Sequence, residues 1–431
     1  MTKLIIASNR IPVTIKFNGD EFELVKSQGG LATGLASLMS EDNTLWVGWH
    51  GSERSLNQPE DLKLIQTLRD QKFEVLDLSR DEFELFYNSV SNAILWPVYH
   101  SLVDKLQLKL EGWDVYELVN RRFADRIISL YNEGDFVWIH DYHLQLVPHM
   151  IRAQIPDAKI GFFLHIPFPS PDIFRVLPWR DEVLTGLLGA DIIGFHTYSY
   201  CHHFQSTLLH ILGVESYADT IQYSGRVIKF GAFPLGVDPE RIQTLSETLS
   251  NGKLNEISGA IQQLKGDHPS NINAKPVSIV LSVDRMDYTK GIPRRMLAFE
   301  RLLEKNPDLC GSIILIQIAA PSRDKVTAYE QYRDSVEGHV GRINGRFGTI
   351  GYHPIHYVGK SFTQEELFQI YKRVDVMLVT PLRDGMNLVA KEFIATRRDN
   401  DGVLVLSEFA GAAEELGEAV LVNPYDLDNT A

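Results

Sequence analysis

The sequence has 431 residues, 44% of them hydrophobic and 23% charged, with a formal net charge of −14. That length exceeds one ordinary core and implies two domains. The acidic balance argues against general binding to nucleic acid or to a membrane surface. Two cysteines, Cys201 and Cys310, stand too far apart to suggest a disulfide framework or a cysteine zinc site.

The N-terminus, MTKLIIASNR, enters a strand at once, and its apolar stretch is too short for a signal peptide. No apolar run reaches membrane-spanning length, so a soluble, cytoplasmic protein is expected. Short apolar runs then recur along the chain: KLIIAS (3–8), FVWIH (136–140), KIGFFLHI (159–166), DIIGFH (191–196), VSIVLSV (277–283), SIILIQIA (312–319), VDVMLVTP (374–381), GVLVLSEF (402–409) and AVLVN (419–423). Several lack alternation, which predicts strands buried on both faces. Helical patterns such as 293–306 and 363–374 lie between them. Strand and helix in alternation imply an α/β fold with parallel sheets. The polar, helix-prone stretch 239–276 marks the boundary near its start, giving two doubly wound domains, 1–238 and 239–431. Ligands of such sheets bind outside the carboxyl ends of the strands, so an interdomain cleft is the expected site.

Candidate residues follow the same order. SNR (8–10) puts Arg10 at a strand's carboxyl end, where a guanidinium can clamp a phosphate or simply join a surface ion pair. Gly29 and Gly30, before an apolar helix, can cradle an anion with backbone N–H groups, although a Gly pair is more often a turn. Aromatic residues concentrate beside turns in WVGWHG (46–51), FYNSVSNAILWPVYH (86–100) and EGWDVY (111–116). Such rings cover the apolar face of a sugar or pack a core; Tyr87 and Trp96 are the candidates retained. His140, Asp141 and His143 end another strand. They are metal ligands by type, but no further cluster has matching spacing. Asp141 suits hydroxyl binding or acid–base work. His165 precedes a loop stiffened by prolines and can bond a sugar hydroxyl, assist a developing charge, or be a buried structural histidine.

In VDRMDYTKGIP (283–293), Arg285 and Lys290 can neutralise a diphosphate on which charge grows as it departs. Arg323 is a further cation after the next strand, and RINGRFG (342–348) is expected as a basic loop. No Walker A sequence is present. The stretch RDGMNLVAKEF (383–393) follows a strand and opens a helix. The N–H groups of Gly385, Met386, Asn387 and Leu388 can therefore donate to a ligand, and Asp384 can accept from sugar hydroxyls. Glu392 lies roughly 7.5 Å along the helix from Asn387, so one ligand can span both. Ordinary capping explains Asp384 but not the set.

These residues resemble the trehalose-6-phosphate synthase family, retaining glycosyltransferases of glycosyltransferase family 20 with the GT-B fold of two Rossmann-like domains. The matching motifs are SNR, GGLATGL, WVGWHG, LWPVYH, VWIHDYHLQLVP, IGFFLHIPFPSPDIF, AFPLGVDP, VDRMDYTKGIPRR, GRINGRFG, TPLRDGMNLVAKEF and VLSEFAGAAEEL, in order from residue 8 to residue 416. The resemblance implies transfer of glucose from a nucleotide sugar, UDP-glucose above all, to glucose 6-phosphate, by front-face attack without a covalent enzyme intermediate. It implies that Arg10, Tyr87, Trp96 and Arg323 hold the acceptor and its phosphate and that Asp141 bonds acceptor hydroxyls. His165 would bond the donor glucose. Gly30, Arg285 and Lys290 would hold the donor diphosphate. Asp384, Gly385, Met386, Asn387 and Leu388 would bind the transferred glucose and nearby phosphate, and Glu392 the ribose. Catalysis would fall to Asp141, His165, Arg285, Lys290 and Asp384. No metal or cofactor is expected, and homo-oligomerisation stays open. The family continues beyond VNPYDLDNTA into helices, the last crossing back to the first domain. Rival readings are a sibling synthase with an acceptor such as glycerol 3-phosphate, a sugar-phosphate sensor, and an epimerase of the same fold.

Overall fold

The computed structural model describes residues 2–18, 21–26, 35, 43–52, 54–56, 58, 61–107, 109–248, 256–265, 277–322, 327–397 and 400–431. The chain divides into two compact units, Met1–Pro234 and Leu235–Ala431.

In the first unit the strands are β1 (Leu4–Arg10), β4 (Thr44–Trp49), β5 (Phe73–Leu76), β6 (Phe136–His140), β7 (Lys159–Phe163), β8 (Ile192–Phe195), β9 (Ser216–Tyr217), β10 (Thr220–Tyr223) and β11 (Arg226–Ala232). A separate antiparallel hairpin joins β2 (Val13–Asn18) to β3 (Glu21–Lys26). Among the described residues the sheet order is β5-β4-β1-β6-β7-β8-β11-β10-β9, parallel except at the β9–β11 end. The chain starts in the middle at β1, winds outward through β4 and β5, then returns to β6 and winds the other way. The order therefore reverses between β1 and β6, and a switch point of this kind is where doubly wound sheets bind ligands. Central strands are buried on both faces by helices, which is why β1 reads as an unbroken apolar run with Ile5, Ile6 and Ala7 fully buried.

The second unit repeats the plan with β12 (Ser278–Arg285), β13 (Ile313–Ala320), β14 (Ile355–Val358), β15 (Val376–Val379), β16 (Val403–Ser407) and β17 (Val420–Val422). Their order is β14-β13-β12-β15-β16-β17, and every pairing is parallel. Here the switch point lies between β12 and β15. The helix Ile292–Lys305 covers one face through Ile292, Met296, Phe299 and Leu303, a 3.6-residue stripe. It starts from Gly291, whose φ of 66° suits glycine; a Cβ there would also lie 2.8 Å from the Thr380 carbonyl oxygen.

Two expectations are corrected. The aromatic segment 86–100 does not flank turns: Tyr87 lies in the π-helix Glu84–Leu95, and Trp96 opens the α-helical turn Trp96–Tyr99 that continues it. A capping box of Ser79 and Glu82 starts this helix. RINGRFG is not a loop but the end of the helix Thr327–Phe347. Arg342 donates to Glu300 at 2.5 and 2.7 Å, and Arg346 to Glu300 at 2.9 Å and Glu304 at 2.6 Å. The hydrogen bonds from these arginines hold both carboxyls below their ordinary range. Among the described residues no helix is long and apolar enough to cross a membrane.

Candidate active site

At the first unit's switch point, Ser8 takes the indole N–H of Trp46 at 2.8 Å and donates to the Arg10 carbonyl at 2.7 Å. This fixes the end of β1, and Arg10 emerges exposed, its guanidinium 4.7 Å from the centre of the Trp49 ring. An aromatic chain runs on from there. Trp49 meets Phe83 at 4.8 Å, Phe83 stacks on Tyr87 at 5.0 Å, and Tyr87 stacks on His143 at 5.7 Å. His143 meets Tyr142 at 3.9 Å, and Tyr142 meets Trp96 at 5.6 Å. The structure thus links Arg10, Tyr87 and Trp96 through one set of rings, with Tyr87 partly exposed and Trp96 buried. The Tyr142 hydroxyl donates to Asn92 at 2.9 Å, and Asn92 donates to the Tyr87 carbonyl at 2.8 Å. That last bond spans five residues, the repeat of a π-helix, so the irregular helix and the loop after β6 set Tyr87 together.

Asp141 follows β6 with φ 75° and ψ 168°. This is backbone space that glycine favours, at a cost of about 1–3 kcal/mol for other residues. Its N–H donates to the Phe163 carbonyl at 2.8 Å, and its carboxylate accepts from the His165 N–H at 3.2 Å. Asp141 and His165 are therefore tied together at the ends of β6 and β7. The ring of His165 lies within hydrogen-bond reach of His140, Nε2 to Nδ1 at 3.0 Å, and packs against His196 at 5.4 Å. Burial pushes His140 down to about 3, and burial followed by the two neighbouring imidazoles holds His165 well below the ordinary histidine value. Both are neutral at neutral pH. His140, Asp141 and His143 do not converge: among the described residues no three His, Cys, Asp or Glu side chains are placed to hold a metal.

At the second switch point, Arg285 ends β12 exposed. Lys290 donates to Asp384 at 2.5 Å, and Asn387 donates to the same carboxylate at 3.0 Å. Asn387, with φ 78°, caps the helix Leu388–Thr396 by accepting from the Ala390 N–H at 3.2 Å. Gly411 packs against the backbone between β15 and this helix: a Cβ on Gly411 would fall 2.1 Å from the Gly385 carbonyl oxygen. No acceptor among the described residues meets the N–H groups of Gly385, Met386 or Asn387, and Leu388 is the first residue of the helix. Open N–H groups at a helix start favour an anion. Further along the helix, burial raises Glu392 to about 7, against one hydrogen bond from Gln364 at 3.2 Å.

Gly30 and Arg323 lie outside the described residues. Arg295 was missed. It is 1% exposed and donates to Thr380 at 2.9 Å, Gln317 at 3.0 Å and the Lys290 carbonyl at 3.1 Å, and it pairs with Asp284. The signal was available: Arg295 falls on the apolar stripe of its helix, where a cation needs a buried partner.

Two Rossmann-like units, one presenting an arginine, aromatic rings and a strained aspartate, the other cations and an open helix start, define a glycosyltransferase of the GT-B class. The chain belongs to glycosyltransferase family 20, whose family model matches residues 2–431. It is 41% identical over 438 residues to the UDP-forming α,α-trehalose-phosphate synthase of Schizosaccharomyces pombe, covering 100% of this chain and 82% of that one. The corresponding synthase of Candida albicans is 42% identical, with 99% and 88% covered. Among solved structures, "Trehalose-6-phosphate from E. coli bound with UDP-2-fluoro glucose" superposes with a TM-score of 0.86 at 37% identity, covering 100% of this chain and 89% of that one. A UDP-forming synthase from Burkholderia xenovorans in complex with glucose-6-phosphate gives 0.86 at 35%, with 100% and 90% covered.

Proposed function

We propose that this chain is a retaining glucosyltransferase that moves glucose from UDP-glucose to glucose 6-phosphate, giving α,α-trehalose 6-phosphate and UDP. The observation that carries the reading is the second switch point, where Lys290, Asp384 and the open N–H groups after Asp384 meet. A sugar diphosphate needs that combination: an acceptor for sugar hydroxyls beside donors for phosphate oxygens. Likeness to UDP-forming relatives supports UDP as the nucleotide.

In this reading Arg10, Tyr87, Trp96 and Arg323 hold glucose 6-phosphate, and Asp141 accepts from its hydroxyls. His165, neutral, bonds the donor glucose without adding charge. Gly30, Arg285 and Lys290 hold the diphosphate, Asp384 to Leu388 the glucosyl group, and Glu392 the ribose. The acceptor's anomeric hydroxyl attacks the donor's anomeric carbon on the face that UDP leaves. The bond to the phosphate oxygen breaks, that oxygen takes the hydroxyl proton, and the cations stabilise the charge growing on the diphosphate. The reaction needs no metal in this scheme.

The test is nucleoside diphosphate release from UDP-, ADP- and GDP-glucose, each with and without glucose 6-phosphate. Release from UDP-glucose only with acceptor, with a non-reducing disaccharide phosphate as product, is expected. Release without acceptor, or none with any donor, overturns the reading.

A further inference from the structure

The motif WVGWHG supplies no group to the scheme above, yet its second half surrounds Arg10. Trp49 is 1% exposed, and its indole N–H has no hydrogen-bond partner among the described residues. A buried donor left unmet is a cost, and a phenylalanine would pack there without it. What tryptophan adds is the largest and most electron-rich face, and the Arg10 guanidinium lies over that face at 4.7 Å. The next two residues fix the guanidinium's other side. Arg10 donates to the Gly51 carbonyl at 3.2 Å.

Gly51 is itself held. The Ser52 N–H donates to His50 Nδ1 at 3.2 Å, so that nitrogen is an acceptor and the ring proton sits on Nε2. His50 Nε2 then donates to Asp77 at 3.1 Å. The other oxygen of Asp77 accepts from the Leu56 N–H at 3.1 Å and from the Ser55 hydroxyl. One carboxylate therefore pins the loop on both sides of Gly51, through His50 before it and through Ser55 and Leu56 after it. Burial outweighs Asp77 and keeps His50 below its ordinary value, so the imidazole stays neutral and its Nδ1 lone pair stays available to Ser52.

We propose that Trp49 and His50 are positioning residues for Arg10, and that through it they set the preference for a phosphorylated over an unphosphorylated acceptor. This rests on the reading that Arg10 clamps the acceptor phosphate. A guanidinium binds phosphate well only when its fork is aimed. Here the Trp49 face sets the plane and the Gly51 carbonyl sets the rotation.

The experiment measures kcat and KM with UDP-glucose and either glucose 6-phosphate or glucose, for the wild type and Arg10→Ala, Trp49→Phe, Trp49→Leu, His50→Ala, Ser55→Ala and Arg10→Ala/His50→Ala. Wild-type turnover tests the underlying reading by itself; the variants test the positioning. His50→Ala and Trp49→Leu should raise KM for glucose 6-phosphate about tenfold. Both should leave kcat within about threefold, and His50→Ala should leave glucose turnover unchanged. Trp49→Phe, which keeps a smaller face, should fall between Trp49→Leu and the wild type. In the Arg10→Ala background, loss of His50 should cost nothing further, because its effect passes through the missing guanidinium. Equal losses on both acceptors, or additive losses with Arg10→Ala, overturn the proposal. If Trp49→Leu does not fold, Ser55→Ala gives the milder loosening of the same loop, and its phosphate preference decides.

Discussion

Replacing Glu392 with glutamine should change how stability depends on pH. Burial raises this carboxyl from its ordinary 4.5 to about 7. The unfolded chain ionises Glu392 near the lower value, while the folded chain keeps it protonated up to the higher one. Stability from the protonated form is therefore complete below about pH 4.5 and is lost as pH rises through about 7. At about 1.4 kcal/mol per pH unit the ceiling is about 3 kcal/mol, and the partial exposure of the side chain reduces the expected change to about 1–3 kcal/mol. Glutamine has no charge to lose and can still accept from Gln364. Urea denaturation of both proteins between about pH 4.5 and about pH 8 should thus show Glu392→Gln gaining about 1–3 kcal/mol on the wild type across that window. Parallel profiles would refute the reasoning. The same group gives a binding test. If Glu392 accepts from the ribose, as proposed, its ionised form is the better acceptor, so UDP-glucose affinity should rise through about pH 7 in the wild type and less so in Glu392→Gln.

Asp141→Gly should be more stable than Asp141→Ala by about 1–2 kcal/mol, the reverse of glycine's usual penalty, because only glycine accepts φ 75° and ψ 168° without strain; thermal unfolding of the two variants decides it, and both should lose turnover. Lys290→Ala should lower kcat by about 10²–10³ with little change in KM for the acceptor. Adding Asp384→Asn should restore stability but not activity, since the second change removes the carboxylate that has lost its ammonium at 15% exposure; denaturation and steady-state kinetics separate the two. Arg295→Met should cost about 3–5 kcal/mol, because Asp284 then stays buried without its cation and Gln317 loses a donor; a loss under about 1 kcal/mol in urea would show that the Ser282 hydroxyl, which donates to Asp284 at 3.3 Å, suffices.

What the sequence showed plainly was the sheet. Strands such as β12, with six buried residues between exposed ends, are mainly apolar on both faces, and the polar residues that follow such a run mark a carboxyl end. Arg10, Asp141, Arg285 and Asp384 all lie within three residues of the end of such a run. The helix carrying Tyr87 was hidden because its polar residues mimic turn chemistry. Asn88, Ser91 and Asn92 are buried there, and Asn92 is satisfied by Tyr142, fifty residues away, which local spacing cannot reveal. RINGRFG failed for a related reason: its glycines suggest a loop, but Arg342 and Arg346 are fixed by Glu300 and Glu304 on another helix.

The two switch points solve one problem in different ways. Each presents a cation near a strand's carboxyl end, and each gives that cation a different resting partner. In the first unit Arg10 rests on a ring face and a backbone carbonyl, partners that orient a guanidinium but neutralise none of its charge. In the second unit Lys290 is paired with Asp384, so any anion that binds the ammonium has to compete with that carboxylate. The buried Arg295 donates to the Lys290 carbonyl, so the lysine's backbone keeps its place whichever anion its ammonium faces. The second switch point therefore binds an anion by exchanging partners, whereas the first offers an oriented charge that no carboxylate has to release.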